Sequence, residues 1–288
     1  MKIERIAIEV SNKAFLPESY AYRNFLRKHG FLCDFVEKGD MSVLNYDAVI
    51  LFHGFHPFWK KYPRFIIGEY HSLSVGKFNR LKDLAKKLIN VRPDIHVFLN
   101  EAVRESLFFS KKTNYILRGM GVDGSELISF SNNEKIYDVV YCGSERDGLY
   151  AEIERLADLG IKIALVGPTK PIEHINVTSF GRKAPSEVRE LLTKCRFGLN
   201  YTPDVFPYNI QDSTKVIEYC AYGLGVITNR YQWVNEFEKK RSGRFMTISE
   251  LNSKQALNLF DFIVPNVLDL HWDSLLTNSG MLEKIRSL

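Results

Sequence analysis

The feature of this sequence that most limits its fold is the alternation, along the whole chain, of short apolar runs with longer amphipathic runs. Ile3–Val10 and Ala48–Phe52 are typical of buried strands, whereas Glu18–His29 repeats its apolar residues at helical spacing. Strand and helix patterns that follow one another in this way are typical of parallel sheets covered by helices. We therefore expect an α/β fold, and neither a β-sandwich nor a helix bundle.

A polar interval near the middle of the chain separates two such series. The last strand pattern of the first series, Asn114–Leu117, is followed by a glycine-rich turn and by a polar stretch over 129–135 that has little to bury. A chain of 288 residues is long enough for two domains. We predict one domain over residues 1–125 and a second over 126–270, with the cleft between them as the default ligand site.

Composition excludes several classes of protein. The chain is 45% hydrophobic and 25% charged, which is average for a globular protein and unlike a disordered or collagen-like chain. Apolar runs are too short for a membrane span, and the first ten residues lack the unbroken apolar stretch of a secretory signal. We expect the protein in the cytosol or on the inner face of the plasma membrane. Its four cysteines are scattered among apolar residues, which predicts reduced core thiols.

The net charge of +5 is unevenly distributed. Lys and Arg outnumber Asp and Glu by 20 to 13 over residues 1–125, whereas the counts beyond are 19 and 21. A basic half could face nucleic acid, anionic lipid or phosphorylated ligands, but no aromatic RNA-binding signature or zinc spacing accompanies it, so nucleic acid is not an expected partner. The loop Ser11–Pro17 lacks the glycines of a dinucleotide site, which argues against a dehydrogenase.

The segment Ser213–Asn229 carries the clearest chemical signal. Ser213 or Thr214 can cap a helix whose free N–H groups and positive dipole end would attract an anion. Lys215 lies in the first turn, where a cation opposes the dipole unless an anion is bound. Glu218 lies on the same face and could accept hydrogen bonds from ribose hydroxyls. The alternative is a capped helix with a Lys–Glu pair on its surface, and the spacing alone does not choose.

The same segment carries a family resemblance. Lys215–Thr228 resembles the K-x-x-E-Y-x-A-x-G-x-x-V-I-T signature of the C-terminal domain of GT-B glycosyltransferases, above all family 4 and its bacterial polysaccharide and lipopolysaccharide relatives. Ile116–Asp123, Val139–Arg146 and Val177–Gly181 are similar to further landmarks in the family order. The resemblance covers residues 64–240. It implies two Rossmann-like domains facing across a cleft, with a C-terminal helix over 271–288 that crosses back to the first domain.

The resemblance implies a hexosyl- or glycuronosyltransferase that needs no metal or cofactor. The donor is a UDP or GDP sugar, and the acceptor is a saccharide or a lipid-linked saccharide of envelope polysaccharide assembly. The implied donor site places the base near Phe180, Gly181 and Arg182, the ribose on Glu218, and the diphosphate on the remaining residues, which are Gly143, Ser144, Arg146, Ser213, Thr214 and Lys215. No Asp-x-Asp stands in a position typical of metal-dependent transferases, and the histidines lack the spacing of metal ligands. Neither feature of the sequence contradicts metal independence.

The sequence departs from the family pattern at two places. Many family 4 enzymes have a Glu eight residues before the ribose-binding Glu, but Ile210 stands there. Gln211 or Asp212 could contact the sugar instead, so the donor sugar and the retaining or inverting outcome stay open. Arg146 could also form only a surface pair with Glu145.

Histidines at strand ends are the candidate catalytic residues of the first half. The segment over 68–72 resembles the x-x-H-D element whose histidine lies by the donor sugar, which implies that role for His71. The alternative is a loop histidine that caps the next helix. If the reaction inverts the anomeric carbon, His53, His71 or Glu69 could be the general base. His56 is interpreted as an aromatic-loop residue.

The predicted helix Val75–Asn90 combines an apolar stripe with six basic residues over 75–92. Together with the aromatic and basic stretch Phe58–Tyr62, it could rest on an anionic membrane surface. The alternative is an ordinary helix packed on the sheet.

Two other functions remain open at this point. A non-catalytic protein that binds nucleotide sugars or glycans would account for Ile210 and the short first domain. A sugar-nucleotide epimerase could use the same two-domain fold.

Overall fold

The computed structural model describes residues 2–11, 16–123 and 134–288. The chain divides into two compact units, which are Met1–Gly121 with Leu270–Leu288 (unit 1) and Val122–Asp269 (unit 2). The boundary expected between residues 125 and 126 lies outside the described residues.

Unit 1 is built on a six-stranded sheet in the order β2-β1-β3-β4-β5-β6, and every neighbouring pair is parallel. Its strands are β1 Arg5–Val10, β2 Leu32–Glu37, β3 Ala48–Phe52, β4 Phe65–Tyr70, β5 Ile95–Phe98 and β6 Tyr115–Leu117. All five residues of β3 are buried, as expected for a strand covered on both faces.

Unit 2 has a second six-stranded sheet in the order β12-β11-β10-β7-β8-β9, again with parallel pairs throughout. Its strands are β7 Tyr137–Cys142, β8 Ile163–Val166, β9 Val177–Gly181, β10 Cys195–Asn200, β11 Gly225–Thr228 and β12 Met246–Thr247. Renumbered within the unit, this is the strand order of a Rossmann fold. The α/β prediction is confirmed in both units.

Ten α-helices connect or follow the strands in the described part of the chain. They are α1 Pro17–Lys28, α2 Asn79–Ile89, α3 Glu101–Ser106, α4 Leu149–Asp158, α5 Pro185–Thr193, α6 Thr214–Ala221, α7 Gln232–Lys240, α8 Lys254–Leu259, α9 Trp272–Asn278 and α10 Met281–Arg286. None of these described helices is long and apolar enough to cross a membrane.

The C-terminal segment belongs to unit 1, where α9 packs on α1. Lys28 on α1 pairs with Asp273 at 2.5 Å, and the Arg118 guanidinium lies 5.3 Å from the Trp272 ring centroid. The single C-terminal helix expected over 271–288 is two helices, because Gly280 adopts a φ of +73° between them.

The strands Ile3–Val10, Ala48–Phe52 and Asn114–Leu117 that the sequence predicts lie within two residues of β1, β3 and β6. Helix α2 begins at Asn79 and not at Val75, because Phe78 before it is in the left-handed region. The four cysteines are buried free thiols.

Candidate functional site

The strand order of unit 2 places a candidate site at one edge of its sheet. The chain moves from β7 outward to β9 and then returns to the other side of β7 as β10. Ligands of open α/β sheets bind at such reversals, outside the carboxyl ends of the strands. The loop after β7 carries Gly143–Arg146, and the loop after β10 leads to α6 with Ser213–Glu218. The topology therefore brings the two predicted phosphate-binding segments to the same edge.

Two glycines allow close backbone packing at this edge. Gly143 N–H donates to Val166 O at 3.0 Å, and Gly167 N–H donates to Gly181 O at 2.7 Å. A Cβ on Gly167 would lie 2.0 Å from the Gly143 carbonyl oxygen, and one on Gly143 would lie 2.5 Å from Lys215 Cε. A larger residue is thus excluded at Gly167, whereas at Gly143 it would displace the Lys215 side chain, which runs directly against the Gly143 backbone.

The start of α6 is fixed by a buried amide. Ser213 caps the helix by accepting a hydrogen bond from Val216 N–H, and its hydroxyl lies 3.2 Å from Asn200 Oδ1. Asn200, the last residue of β10, is fully buried and donates to the hydroxyls of Thr228 and Tyr231. The first-turn N–H groups of α6 have no acceptor within the helix, as at every helix start. They are held in a fixed position relative to β10 and β11.

Two cations without counter-ions lie near this helix start. Lys215 Nζ is 5.5 Å from the Tyr141 ring centroid, and the Arg146 guanidinium lies 4.5 Å from the Tyr208 ring centroid. Neither side chain has a carboxylate within 4.0 Å among the described residues, and Arg146 Nε is buried without a hydrogen-bond partner there. Burial, together with the charge of Arg146, lowers the pKa of Lys215 to about 8. An anion bound here would offset both charges.

The surface-pair alternatives do not hold for either residue. Glu145 accepts hydrogen bonds from Thr169 and Tyr150, not from Arg146. Lys215 and Glu218 form no ion pair across the described part of α6. Ser144 is exposed, and its carbonyl accepts from Tyr141.

Glu218 lies partly buried on α6. Burial raises the pKa of its carboxyl to about 7; the charge of Arg189 opposes this rise and that of Asp123 adds to it. No hydrogen bond to its carboxylate is present in the described residues. A carboxyl in this state can accept hydrogen bonds from hydroxyls that come with a ligand.

The residues expected around the base follow β9. Phe180 and Gly181 are partly buried, Phe180 meets the Tyr137 ring edge-on at 6.0 Å, and Arg182 is exposed. Because β8 separates β9 from β7, this position is roughly 10 Å from the Gly143 loop along the sheet.

The loop before α6 holds two orphaned polar atoms. Gln211 Nε2 and Asn209 Oδ1 are buried without hydrogen-bond partners in the described residues. Asp212 and Thr214 flank the helix start, with Asp212 half-buried and Thr214 exposed. Gln211, which stands beside Ile210, therefore has an unused donor on the segment where the family has its sugar-contacting acid.

The histidines of unit 1 differ in their surroundings. His53 Nε2 lies 3.1 Å from Asp83 Oδ1 and 3.3 Å from Lys86 Nζ, and its Nδ1 is buried without a partner among the described residues. Burial lowers the pKa of His53, although Asp83 acts against this. A histidine held by a carboxylate at one nitrogen has its other nitrogen available as a proton acceptor.

Glu69 is deeply buried, and His71 is partly buried. Burial, with the charges of Arg118 and His53, lowers the pKa of His71 to about 3, so its imidazole is neutral and weakly basic. Glu69 is fully buried, pairs with Arg118 at 2.8 Å and accepts a hydrogen bond from Tyr22. A carboxylate engaged in this way cannot reach an acceptor hydroxyl, which corrects the expectation of Glu69 as a general base.

Helix α2 turns its apolar side outward. Leu81, Leu84 and Leu88 are 62%, 39% and 71% exposed, Phe78 is 75% exposed, and Asp83 is the buried residue of the helix. The alternative of a helix whose apolar stripe packs on the sheet therefore does not hold. Other exposed apolar residues in this part of unit 1 are Phe55, Phe58, Trp59, Val75 and Phe108.

Sequence reasoning missed Asn200, Tyr208 and Asp83. Asn200 ends a buried strand, a position where an amide must find partners, so its place before a capped helix was a usable signal. Nothing in the sequence marks Tyr208 as the ring against Arg146. Asp83 interrupts the apolar spacing of α2. The pattern alone predicts that such a residue is exposed to solvent, and only the orientation of the helix shows that it is buried.

No group of three metal-ligating residues is assembled among the described residues. No protein-family model matches the sequence, and no curated protein does either. The fold, with its two parallel six-stranded sheets, is that of GT-B glycosyltransferases with two Rossmann-like domains.

Individual solved structures share this fold at low sequence identity. AviGT4, a glycosyltransferase involved in avilamycin A biosynthesis, matches with a TM-score of 0.63 and 13% identity over 99% of this chain and 98% of that chain. Anabaena Alr3699/HepE in complex with UDP and glucose matches with a TM-score of 0.58 and 10% sequence identity, over 99% of this chain and 97% of that chain. UDP-N-acetylglucosamine 2-epimerase from Rickettsia bellii matches with a TM-score of 0.53 and 12% sequence identity, over 99% of this chain and 97% of that chain.

Proposed function

We propose that this protein is a glycosyltransferase of the family 4 type that transfers a sugar from a nucleoside-diphosphate donor to a saccharide or lipid-linked saccharide. The observation that carries the proposal is the pair of uncompensated cations, Lys215 and Arg146, beside the capped start of α6. The diphosphate lies there, the ribose binds Glu218, and the base lies by Phe180 at the end of β9.

The arrangement supports displacement of a diphosphate. The bond between the anomeric carbon and the diphosphate oxygen breaks, and its electron pair leaves with the diphosphate. The acceptor oxygen forms the new bond and gives up its proton. Lys215, Arg146 and the α6 N–H groups stabilise the charge that grows on the leaving group, so they act more strongly in the transition state than on the bound donor. No residue in this scheme requires a metal.

For an inverting reaction, His53 is the general base that the geometry favours. Asp83 orients its ring, and Nδ1 is the nitrogen without a partner in the described residues. His71, whose imidazole is neutral and lies close to His53, is the second candidate catalytic residue of unit 1. For a retaining reaction, Gln211 or Asp212 takes the place of the missing sugar-contacting acid.

The outward apolar side of α2 supports docking on an anionic membrane, where a lipid-linked acceptor of envelope polysaccharide assembly would be found. Leu81, Leu84 and Leu88 would enter the interface, and Lys77, Arg80 and Lys87 would face anionic headgroups. Each basic residue near such a surface contributes about 1 kcal/mol.

Thermal melting against UDP, GDP, ADP, TDP and CMP tests the donor site. We expect one diphosphate to stabilise the protein by about 2.7 kcal/mol at a concentration of 100 times its Kd. Lys215→Met abolishes the shift. Lys162→Met, which removes an exposed lysine before β8 at the opposite edge of the same sheet, preserves it. Folded protein that no nucleotide stabilises would overturn the proposal.

Vesicle sedimentation tests the membrane surface. The full chain should bind phosphatidylglycerol vesicles and not phosphatidylcholine vesicles, and serines at positions 81, 84 and 88 should weaken binding at least about tenfold, since each leucine contributes up to about 1.5–3 kcal/mol on burial. Serines in place of Ile175 and Leu259, which are 98% and 75% exposed in unit 2, are the matched control. Equal loss in both variants contradicts the assignment.

An epimerase is the second candidate because one of the matching folds is an epimerase. An epimerase converts the donor without an acceptor and releases no nucleotide. Release of free nucleoside diphosphate that depends on added acceptor therefore separates the two functions.

A further inference from the structure

A second cluster of charged residues lies in unit 1, outside the donor site and the histidine pair. The strand order of unit 1 reverses between β1 and β3, which makes the carboxyl ends of these strands a favoured place for a ligand. Glu9 is the next-to-last residue of β1, and His56 follows β3. With Lys38, Lys60 and Tyr62 they line a cavity of about 270 Å³.

The buried side chains of His56 and Glu9 form the floor of this cavity. The side chains of His56 and Glu9 are only 7% and 9% exposed, and His56 Nδ1 lies 3.2 Å from Glu9 Oε1. His56 Nε2 lies 2.8 Å from the Phe52 carbonyl, so it carries a hydrogen. Glu9 Oε1 has no well-aligned hydrogen-bond donor in the described residues. Burial acts to raise the pKa of Glu9, but His56 and Lys38 outweigh it and the pKa is lowered. The ionised carboxylate therefore has capacity for a further hydrogen-bond donor besides His56.

The cavity walls carry an excess of positive charge. Lys38, Lys60 and Lys61 line them, and none has a carboxylate within 4.0 Å in the described part of the chain. Burial and the charge of Lys60 lower the pKa of Lys38, with Glu9 acting against them. The other acidic group at the rim, Asp40, accepts a hydrogen bond from Ser42 N–H.

Two aromatic residues, Phe55 and Tyr62, line the cavity beside the aliphatic residues Met41 and Val43. Phe55 is 51% exposed and leans edge-on towards Trp59 at 6.3 Å. Burial, followed by the charge of Glu9, raises the pKa of Tyr62 to about 12, so its hydroxyl stays protonated and can donate. A flat apolar wall, an acceptor at the floor and cations at the rim match a sugar ring that carries an acidic group.

We propose that this cavity binds a single sugar residue bearing a carboxylate or a phosphate. A hydroxyl of the sugar donates to the Glu9 carboxylate, its acidic group lies among Lys38, Lys60 and Lys61, and one ring face packs on Phe55. The volume lies just below the roughly 300–1,000 Å³ of drug-sized pockets, which limits the occupant to about one ring. The inference depends on the proposed function only in naming this sugar as the acceptor, which makes the enzyme selective for acidic glycans.

Ligand titration by NMR on the full chain tests the cavity. The probes are methyl glucuronide, glucose 6-phosphate, neutral methyl glucoside and inorganic phosphate. We expect an acidic sugar to bind at least about tenfold more tightly than the glucoside, the size of one charge-assisted hydrogen bond. The double variant Lys38→Met, Lys60→Met should lose that preference. The control Lys112→Met, an exposed lysine elsewhere in unit 1, should keep it.

The outcomes separate the site from the function. Equal affinity for glucuronide and glucoside, an unchanged preference in the double variant, or phosphate binding as tight as that of glucose 6-phosphate each overturns the proposal. Whether glucuronide or glucose 6-phosphate binds more tightly identifies the acidic group. Nucleotide-induced melting shifts report on unit 2 independently, so a chain that binds acidic sugars but no nucleotide keeps this site and loses the transferase function.

Discussion

Lys215 has an unusual electrostatic setting, because its ammonium is largely buried beside another cation. Burial and the charge of Arg146 lower the pKa of Lys215 to about 8, so the protonated form of Lys215 is less stable than that of an exposed lysine. A bound diphosphate favours the protonated form and raises this pKa again. Diphosphate affinity should therefore fall by up to about tenfold per pH unit above about pH 8.

Lys215→Arg provides the matched comparison, because arginine stays protonated throughout this range. Its diphosphate affinity should stay flat to pH 9.5 in calorimetric titrations. The same decline in both proteins would place the titrating group elsewhere.

Ionised Glu218 should lower the free energy of unfolding, although the proposed function needs it for ligand binding. Its pKa is raised from 4.5 to about 7, so the unfolded chain ionises first and stability is lost as the pH rises from about 4.5 through about 7. Glu218→Gln removes this loss. The variant should match the natural protein near pH 4.5 and exceed it at pH 8 by up to about 3 kcal/mol, at 1.36 kcal/mol per pKa unit.

Thermal melting at the two pH values measures this difference. A stability gap that is the same at both would show that Glu218 is not the titrating group. At pH 8 the same variant should bind the nucleoside diphosphate about tenfold more weakly if the carboxylate holds the ribose.

Among the elements, β3 has the bounds Ala48–Phe52 that the sequence pattern predicts, because an unbroken apolar run marks it. Helix α2 shows where pattern reasoning ends. Its periodicity identifies a helix, but periodicity does not say which side faces the sheet. Here the polar Asp83 faces inward, since it accepts hydrogen bonds from Ser74 N–H and meets His53.

This inverted orientation predicts an inverted response to mutation. Asp83→Ala should destabilise the protein by about 1–3 kcal/mol, because Ser74 N–H and His53 lose their buried partner. Leu88→Ser, on the exposed side, should change stability by less than about 0.5 kcal/mol. Urea unfolding measures both, and a larger loss from Leu88→Ser would show that the apolar side is buried.

The candidate site, like the fold, could be predicted from the sequence only in part. The cap Ser213 and the pair Lys215 and Glu218 follow from local spacing and the family resemblance. Glu69 was misjudged because its partners, Arg118 and Tyr22, are 49 and 47 residues away in the sequence. Contacts at that range depend on strand order, which a single sequence does not determine.

At the scale of the whole molecule, unit 1 depends on the packing of its C-terminal segment. A Cβ on Gly121 would lie 2.4 Å from the Trp272 ring, so Gly121→Ala should displace α9 and cost about 1–3 kcal/mol. Limited proteolysis within 270–288 measures the displacement of α9, and thermal melting measures the loss of stability. Adding Trp272→Leu should recover part of the loss, whereas strictly additive effects would show that the two residues do not interact.

The composition of unit 1 from two separated stretches of chain also bears on its synthesis. Unit 2 is inserted between Gly121 and Leu270, so the ribosome completes the whole of unit 2 before it supplies the last helices of unit 1. Unit 2 can fold as soon as it emerges, while the N-terminal sheet waits with its α9-binding surface uncovered. The N-terminal half is thus the later of the two to be completed, and during translation its uncovered surface is exposed to other chains.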